Sequence, residues 1–103
     1  MLPKKYRLNL GKIRPGRILF TGRHLLIKSG ENELPYGRFG VVISNRVEPK
    51  AVRRNLWRRK IFSWLEKAVT GAAGRDIVII LKKRPEREEE EQIKNELKNV
   101  LDF

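Results

Sequence analysis

The sequence predicts an α+β domain in which helices pack on a sheet. Three observations carry that expectation. "RFGVVIS" at Arg38–Ser44 and "RDIVIILKK" at Arg75–Lys83 are short runs rich in β-branched residues and read as strands. Between them, a basic stretch from Glu48 to about Val69 has the apolar spacing of a helix. A second helical pattern closes the chain, from about Glu86 to Leu101. With 103 residues, no repeat and no long linker, the chain reads as one domain spanning 1–103.

Taken in order, residues 1–16 form a basic arm with Lys4, Lys5, Arg7, Lys12 and Arg14. Pro15 and Gly16 break any long helix there, leaving room for one helical turn. "RILFTGRHLLIKS", Arg17–Ser29, reads as a short strand and a longer one, with a turn or bulge at Thr21-Gly22. "GENELPYG", Gly30–Gly37, is a polar connection into the strand at Arg38. Glu48-Pro49 suits a helix start, because proline is tolerated at the first helical position. "TGAAG" ends that helix, with Gly71 available for a left-handed cap. The apolar run after Arg75 reads as a central strand. In the last helix Ile93, Leu97, Val100 and Leu101 form one stripe, and the acidic run Glu86–Glu91 reads as a solvated start favoured by the helix dipole.

Charge is segregated along the chain. The net charge is +12, and residues 1–60 hold 16 Lys and Arg against three acids, Glu31, Glu33 and Glu48. Residues 61–103 hold 8 Lys and Arg against 9 acids. Solubility alone gives no reason for such a split, whereas a polyanion does, through phosphate neutralisation and counterion release. No cysteine is present, which excludes disulfides and thiolate metal sites and agrees with a cytoplasmic location. No apolar run approaches the roughly 20 residues of a membrane span. Met1–Leu10 lacks the apolar segment of a secretory signal.

The basic helix poses the main question. On a helical wheel Trp57, Ile61, Trp64, Leu65 and Ala68 fall within about 100° of one another and make a core stripe. Arg53, Arg59, Lys60 and Lys67 lie outside it, but Arg54 and Arg58 fall in its sector. Unpartnered guanidiniums are costly to bury. The expectation is therefore that the C-terminal half docks on the sheet while the N-terminal half overhangs and presents its arginines. Arginine suits phosphate by its planar fork, Asn55 adds a neutral donor and acceptor, and a helix N-terminus favours anions, with Glu48 partly opposing.

No protein-borne catalytic site is expected. His24, the single histidine, sits in a strand-like run and reads as a surface or edge-strand residue rather than a general base. The carboxylates lie mostly in the last helix, with no two-metal constellation and no metal site.

The stretch "FGVVIS", "NRV", "AVRRNLWRRKI" resembles the bacterial ribonuclease P protein component. That family has a strand ending in Ser-Lys-Lys, a spacer, Ala-Val, Arg-Asn-Arg and a Lys-Arg pair. Ser44-Asn45-Arg46, Ala51-Val52, Arg54-Asn55 and Arg58-Arg59 stand at those positions here. "RDIVII" and the opening "LPKKYRL" are similar to the family as well. The chain departs from the pattern twice. Leu56 replaces one arginine, which Arg53 is a candidate to offset. Gly11, Pro15 and Gly16 occupy the region of an N-terminal helix bearing paired phenylalanines, so a basic arm stands in place of a full first helix.

The resemblance implies a small two-layer sandwich with a mixed sheet of about four strands. It also implies a left-handed strand–helix–strand crossover, against the right-handed rule. It implies an RNA-binding subunit that helps remove the 5′ leader of precursor tRNA, with the chemistry done by a catalytic RNA subunit and its Mg²⁺. The expected RNA-binding residues are Asn45, Arg46, Lys50, Arg53, Arg54, Asn55, Arg58, Arg59 and Lys60. Phe20, Tyr36 and Phe39 are candidates for stacking on a single-stranded leader in a cleft on the sheet. Two other classes of function are weighed against this. A ribosomal or structural RNA-binding protein shares the charge bias but has no need of the Ala-Val-x-Arg-Asn spacing. A small nuclease acting alone requires an active site that the sequence does not supply.

Overall fold

The computed structural model of the protein describes residues 2–8, 16–69 and 71–101. Strands β1 (Arg17–Thr21), β2 (Leu25–Glu31), β3 (Arg38–Val42) and β4 (Arg75–Leu81) form one four-stranded sheet in the order β1-β2-β4-β3. β1–β2 and β2–β4 are antiparallel, and β3–β4 is parallel. The mixed sheet follows from the connections. A short turn joins β1 to β2, whereas the parallel pair is bridged by helix α1 (Ala51–Leu65), as a parallel pair requires. Helix α2 (Glu90–Lys98) follows β4. β4 is central, as its apolar run predicts, and a bulge lies between Ile18 and Phe20 in β1.

Alternation along the strands selects the buried face. Leu25 and Ile27, Phe39 and Val41, and Ile77, Ile79 and Leu81 point into one core with Trp57, Ile61, Phe62 and Leu65 of α1 and Ile93 and Leu97 of α2. Burial on α1 begins only at Trp57, so the helix docks by its C-terminal half. Leu2 is buried in the same core and anchors the start of the chain. A 3₁₀ turn at Lys4–Tyr6 follows, then a parallel bridge from Arg7 to Phe39 with the Leu8 N–H donating to the Phe39 carbonyl at 2.7 Å. The amino-terminal segment thus lies along the outer edge of β3. The expected loss of a full first helix concerns residues 9–15, which lie outside the described residues.

Several boundaries shift from expectation. β3 ends at Val42, before a turn at Asn45–Val47 in which the Val47 and Glu48 N–H groups donate to the Ser44 carbonyl. α1 begins at Ala51 rather than Pro49, because Lys50 is extended (φ −82°, ψ 116°) and acts as N-cap. The left-handed glycine is Gly74 (φ 81°), not Gly71. Gly74 donates to the Leu34 carbonyl and accepts from the Asn32 N–H, tying the turn before β4 to the β2–β3 connection. α2 starts late, after a 3₁₀ turn at Arg87–Glu89.

His24 is a larger correction. It is buried in the β1–β2 turn, with Nε2 3.1 Å from Oε2 of Glu89 and Nδ1 against Oε2 of Glu96. Glu96 also accepts from the His24 and Leu25 N–H groups, at 3.1 and 3.2 Å. Acids of the last helical segment therefore clamp it to the turn, and only part of the Glu86–Glu91 run is solvated. The His24 imidazole 3.1 Å away, aided by Lys83, holds the Glu89 carboxyl below its ordinary value against the opposing effect of desolvation, although the contact is not an aligned hydrogen bond.

Candidate nucleic-acid interface

α1 presents two different flanks. Along the flank facing α2, each cation meets an acid. Lys60 Nζ lies 2.5 Å from Oε1 of Glu90. Arg53 Nε lies 3.2 Å from Oε1 of Glu48, and its guanidinium donates to the Pro85 carbonyl at 2.9 Å. Glu48, with no exposed surface, is also met by Arg84 at 2.8 Å. Its oxygens are answered by these charges without aligned hydrogen bonds. Its negative charge is thus turned inward and matched, and it does not repel anions at the helix start as the sequence suggests.

The opposite flank holds Arg54, Asn55 and Arg58, whose partners are neutral. Arg54 donates to the carbonyls of Glu48 and Pro49 at 2.9 and 3.0 Å. Arg58 donates to Oδ1 of Asn55 at 3.1 Å. These contacts aim the guanidiniums, and among the described residues no carboxylate compensates their charge. They also explain how two arginines stand at the border of the core stripe: both are half-buried, and neutral oxygens accept from their guanidiniums.

A groove of about 440 Å³ runs beside this flank, lined by Lys4, Arg7, Leu8, Gly40, Val41, Arg58 and Phe62. Its floor is the edge of β3 and its walls are α1 and the amino-terminal segment. Among the described residues, three cations and no carboxylate border it. In the sequence Lys4 and Arg7 are only charges of the basic arm. Burial of Leu2 and the Arg7–Phe39 bridge bring them to α1, and no local pattern signals that approach.

The remaining candidates sort by position. Asn45 and Arg46 are exposed in the turn after β3, Lys50 is exposed at the N-cap, and Arg59 is exposed on the outer face of α1. The first turn of α1 has no acid and no side-chain cap, so its free N–H groups add partial positive charge beside Lys50. Arg53, the candidate to offset the arginine that Leu56 replaces, is paired with Glu48.

The aromatic candidates fare differently from expectation. Phe39 is fully buried in the core and has no face to offer a base. Phe20 sits opposite Ile27 on the helix side of the sheet, where its ring crowds Gly22. Tyr36 is half-buried and packs edge-on against Tyr6, with ring centroids 5.0 Å apart. Lys5 Nζ lies 4.9 and 5.3 Å from the Tyr6 and Tyr36 ring centroids. Tyr6 was not among the sequence candidates, because only the fold brings the arm to the β2–β3 connection.

The family model for Ribonuclease P matches residues 12–102. The chain belongs to the ribonuclease P protein family. Its function is that of the protein subunit of ribonuclease P, in tRNA processing. Among solved structures it is similar to the RNase P protein from Thermotoga maritima in complex with 1-(4-fluorophenyl)-2-thiourea. That match has 26% identity and a TM-score of 0.62, covering 80% of each chain. A mutant of the Staphylococcus aureus RNase P protein with defective mRNA degradation activity matches at 23% identity with a TM-score of 0.71. It covers 94% of this chain and 86% of that one, and shows the shared fold. No curated protein matches the chain. Among the described residues, no helix is long and apolar enough to cross a membrane.

Proposed function

We propose that this ribonuclease P protein docks on a catalytic RNA subunit through the acid-free flank of α1. Arg54, Arg58 and Asn55 contact the RNA, with Arg59, Lys50, Asn45 and Arg46 extending the contact around the helix start. The observation that carries the reading is the sorting of charge on α1. Arg53 and Lys60 face carboxylates, whereas Arg54 and Arg58 face carbonyl and amide oxygens. Cations with acid partners gain little from phosphate; cations with neutral partners gain a charge-assisted pair.

The groove of Lys4, Arg7 and Arg58 adjoins that flank, and Tyr6, between Lys4 and Arg7 in the chain, packs against Tyr36. It is the part of the surface suited to the single-stranded 5′ leader of precursor tRNA, because cations track a backbone while a neighbouring ring accepts a base. The phosphodiester chemistry belongs to the RNA subunit and the Mg²⁺ it binds. Supporting this, the carboxylates Glu48, Asp76, Glu89, Glu90 and Glu96 are each committed to cationic or backbone partners in the fold. By replacing counterions on the RNA, the protein lowers the Mg²⁺ that cleavage needs.

Cleavage of a precursor tRNA by the cognate RNA subunit at low Mg²⁺ tests the reading. Wild-type protein should restore correct 5′ maturation, and an Arg54→Ala/Arg58→Ala variant should do so poorly. Unchanged cleavage with either protein, by an RNA that is active at high Mg²⁺, would remove the subunit assignment. A structural RNA-binding role would then take its place.

A further inference from the structure

A second groove, of about 390 Å³, lies at the end of the sheet where β4 begins, and Arg17, Ser29, Glu31 and Arg75 line it. Strand register builds it. Arg17 of β1 stands opposite Ser29 of β2, and Arg75 of β4 stands opposite Glu31 of β2, so two arginines flank one strand end. Arg17, Glu31 and Arg75 are exposed, whereas Ser29 is buried. Among the described residues, neither guanidinium meets a carboxylate, Glu31 included. The acid next to Arg75 in the chain, Asp76, is buried and already committed to Arg38 and Asn32. The α1 interface uses none of the four groove residues.

We propose that this groove binds a ribose–phosphate segment of RNA, separate from the segment on which α1 docks. Arg17 and Arg75 take phosphates, and Glu31 and Ser29 meet the ribose hydroxyls. The mixed set of groups selects the occupant. Two guanidiniums without acid partners fit phosphates through charge-assisted hydrogen bonds. Glu31, on the strand between them, repels a bare anion or the carboxylate of a protein partner, but accepts from a 2′-hydroxyl. β4 sets the distance between the two RNA surfaces. Arg75 opens the strand, and Arg84, just beyond its other end, meets Glu48 at the start of α1. A strand of this length spans about 20 Å, so one protein holds two RNA segments at a fixed separation.

Binding across a salt series, with the cognate RNA subunit and precursor tRNA measured separately, tests this. Both arginines are exposed at strand ends, so Arg17→Gln/Arg75→Gln keeps the fold, which circular dichroism checks. The double variant should lose about 1.4–1.8 from the slope of log affinity against log salt, two phosphate contacts. The loss should fall on whichever RNA supplies the segment, and so identifies the source. Glu31→Ala should lower the preference for an RNA over a DNA oligonucleotide of the same sequence about threefold to tenfold, one hydrogen bond. The charge change acts on both oligonucleotides alike, and only one carries the 2′-hydroxyl. Wild-type slopes for the Arg17/Arg75 variant with both RNAs, alongside a reduced slope for Arg54→Gln/Arg58→Gln, would overturn the groove and leave the docking reading standing. A wild-type slope for the Arg54/Arg58 variant alone would remove the docking reading and leave the groove. An unchanged preference in Glu31→Ala would overturn the ribose contact and with it the assignment of the groove to RNA.

Discussion

Nε of Arg84 lies 2.8 Å from Oε2 of Glu48, a carboxylate with no exposed surface. Arg53 meets the other oxygen from within α1. One buried charge therefore ties the start of α1 to the β4–α2 connection.

The pairing is asymmetric, and so are its predicted mutants. Removing both arginines leaves a buried carboxylate unanswered, a loss of about 3–5 kcal/mol by precedent for broken buried pairs. Glu48→Gln leaves Arg53 and Arg84, both partly exposed, free to turn to water, and should cost roughly 1–2 kcal/mol. Urea unfolding of Arg53→Ala/Arg84→Ala and Glu48→Gln should therefore place the double arginine variant well below the glutamine variant. The reverse order would contradict the account.

Gly22 is set by close approach. A Cβ there would stand 2.0 Å from Oε1 of Glu96 and 2.5 Å from Cε2 of Phe20. Gly22→Ala should displace the carboxylate that accepts from the His24 and Leu25 N–H groups and lower stability by about 1–3 kcal/mol. Thermal melting checks this, and a melting temperature equal to wild type would argue against the clamp.

Acid stability follows from Glu89. Its carboxyl is held below the ordinary value of 4.5, chiefly by the adjacent His24 imidazole and then by Lys83. A depressed carboxyl contributes stability that is complete above the ordinary value and is lost as pH falls through the lowered one. Glu89→Gln should therefore flatten the acid limb of the stability–pH profile below about pH 4.5. An acid limb as steep as that of wild type would contradict the pairing.

Much of the architecture was legible because it rests on local patterns. The apolar run Ile77–Leu81 marks a central strand, and the stripe from Trp57 to Leu65 marks the docked half of α1. What was not legible depends on partners distant in sequence. His24 looks like a strand residue until Glu89 and Glu96 arrive from the other end of the chain. Phe39 and Phe20 look available until the sheet faces are assigned, and the register that turns Phe20 toward Ile27 includes a bulge that no motif announces. The same holds for the interface. Charge density singled out the segment from Arg53 to Lys60, but only the fold separates Arg53 and Lys60, which face acids, from Arg54 and Arg58, which do not.

That separation is the central claim, and the salt dependence of RNA-subunit binding tests it most directly. Arg54→Gln/Arg58→Gln and Lys60→Gln would be compared with wild type, with folding verified for each. The account predicts that the double variant loses about 1.4–1.8 from the slope of log affinity against log salt, two phosphate contacts, and that Lys60→Gln leaves the slope unchanged. A slope unaltered by the double variant, or reduced equally by Lys60→Gln, would contradict it.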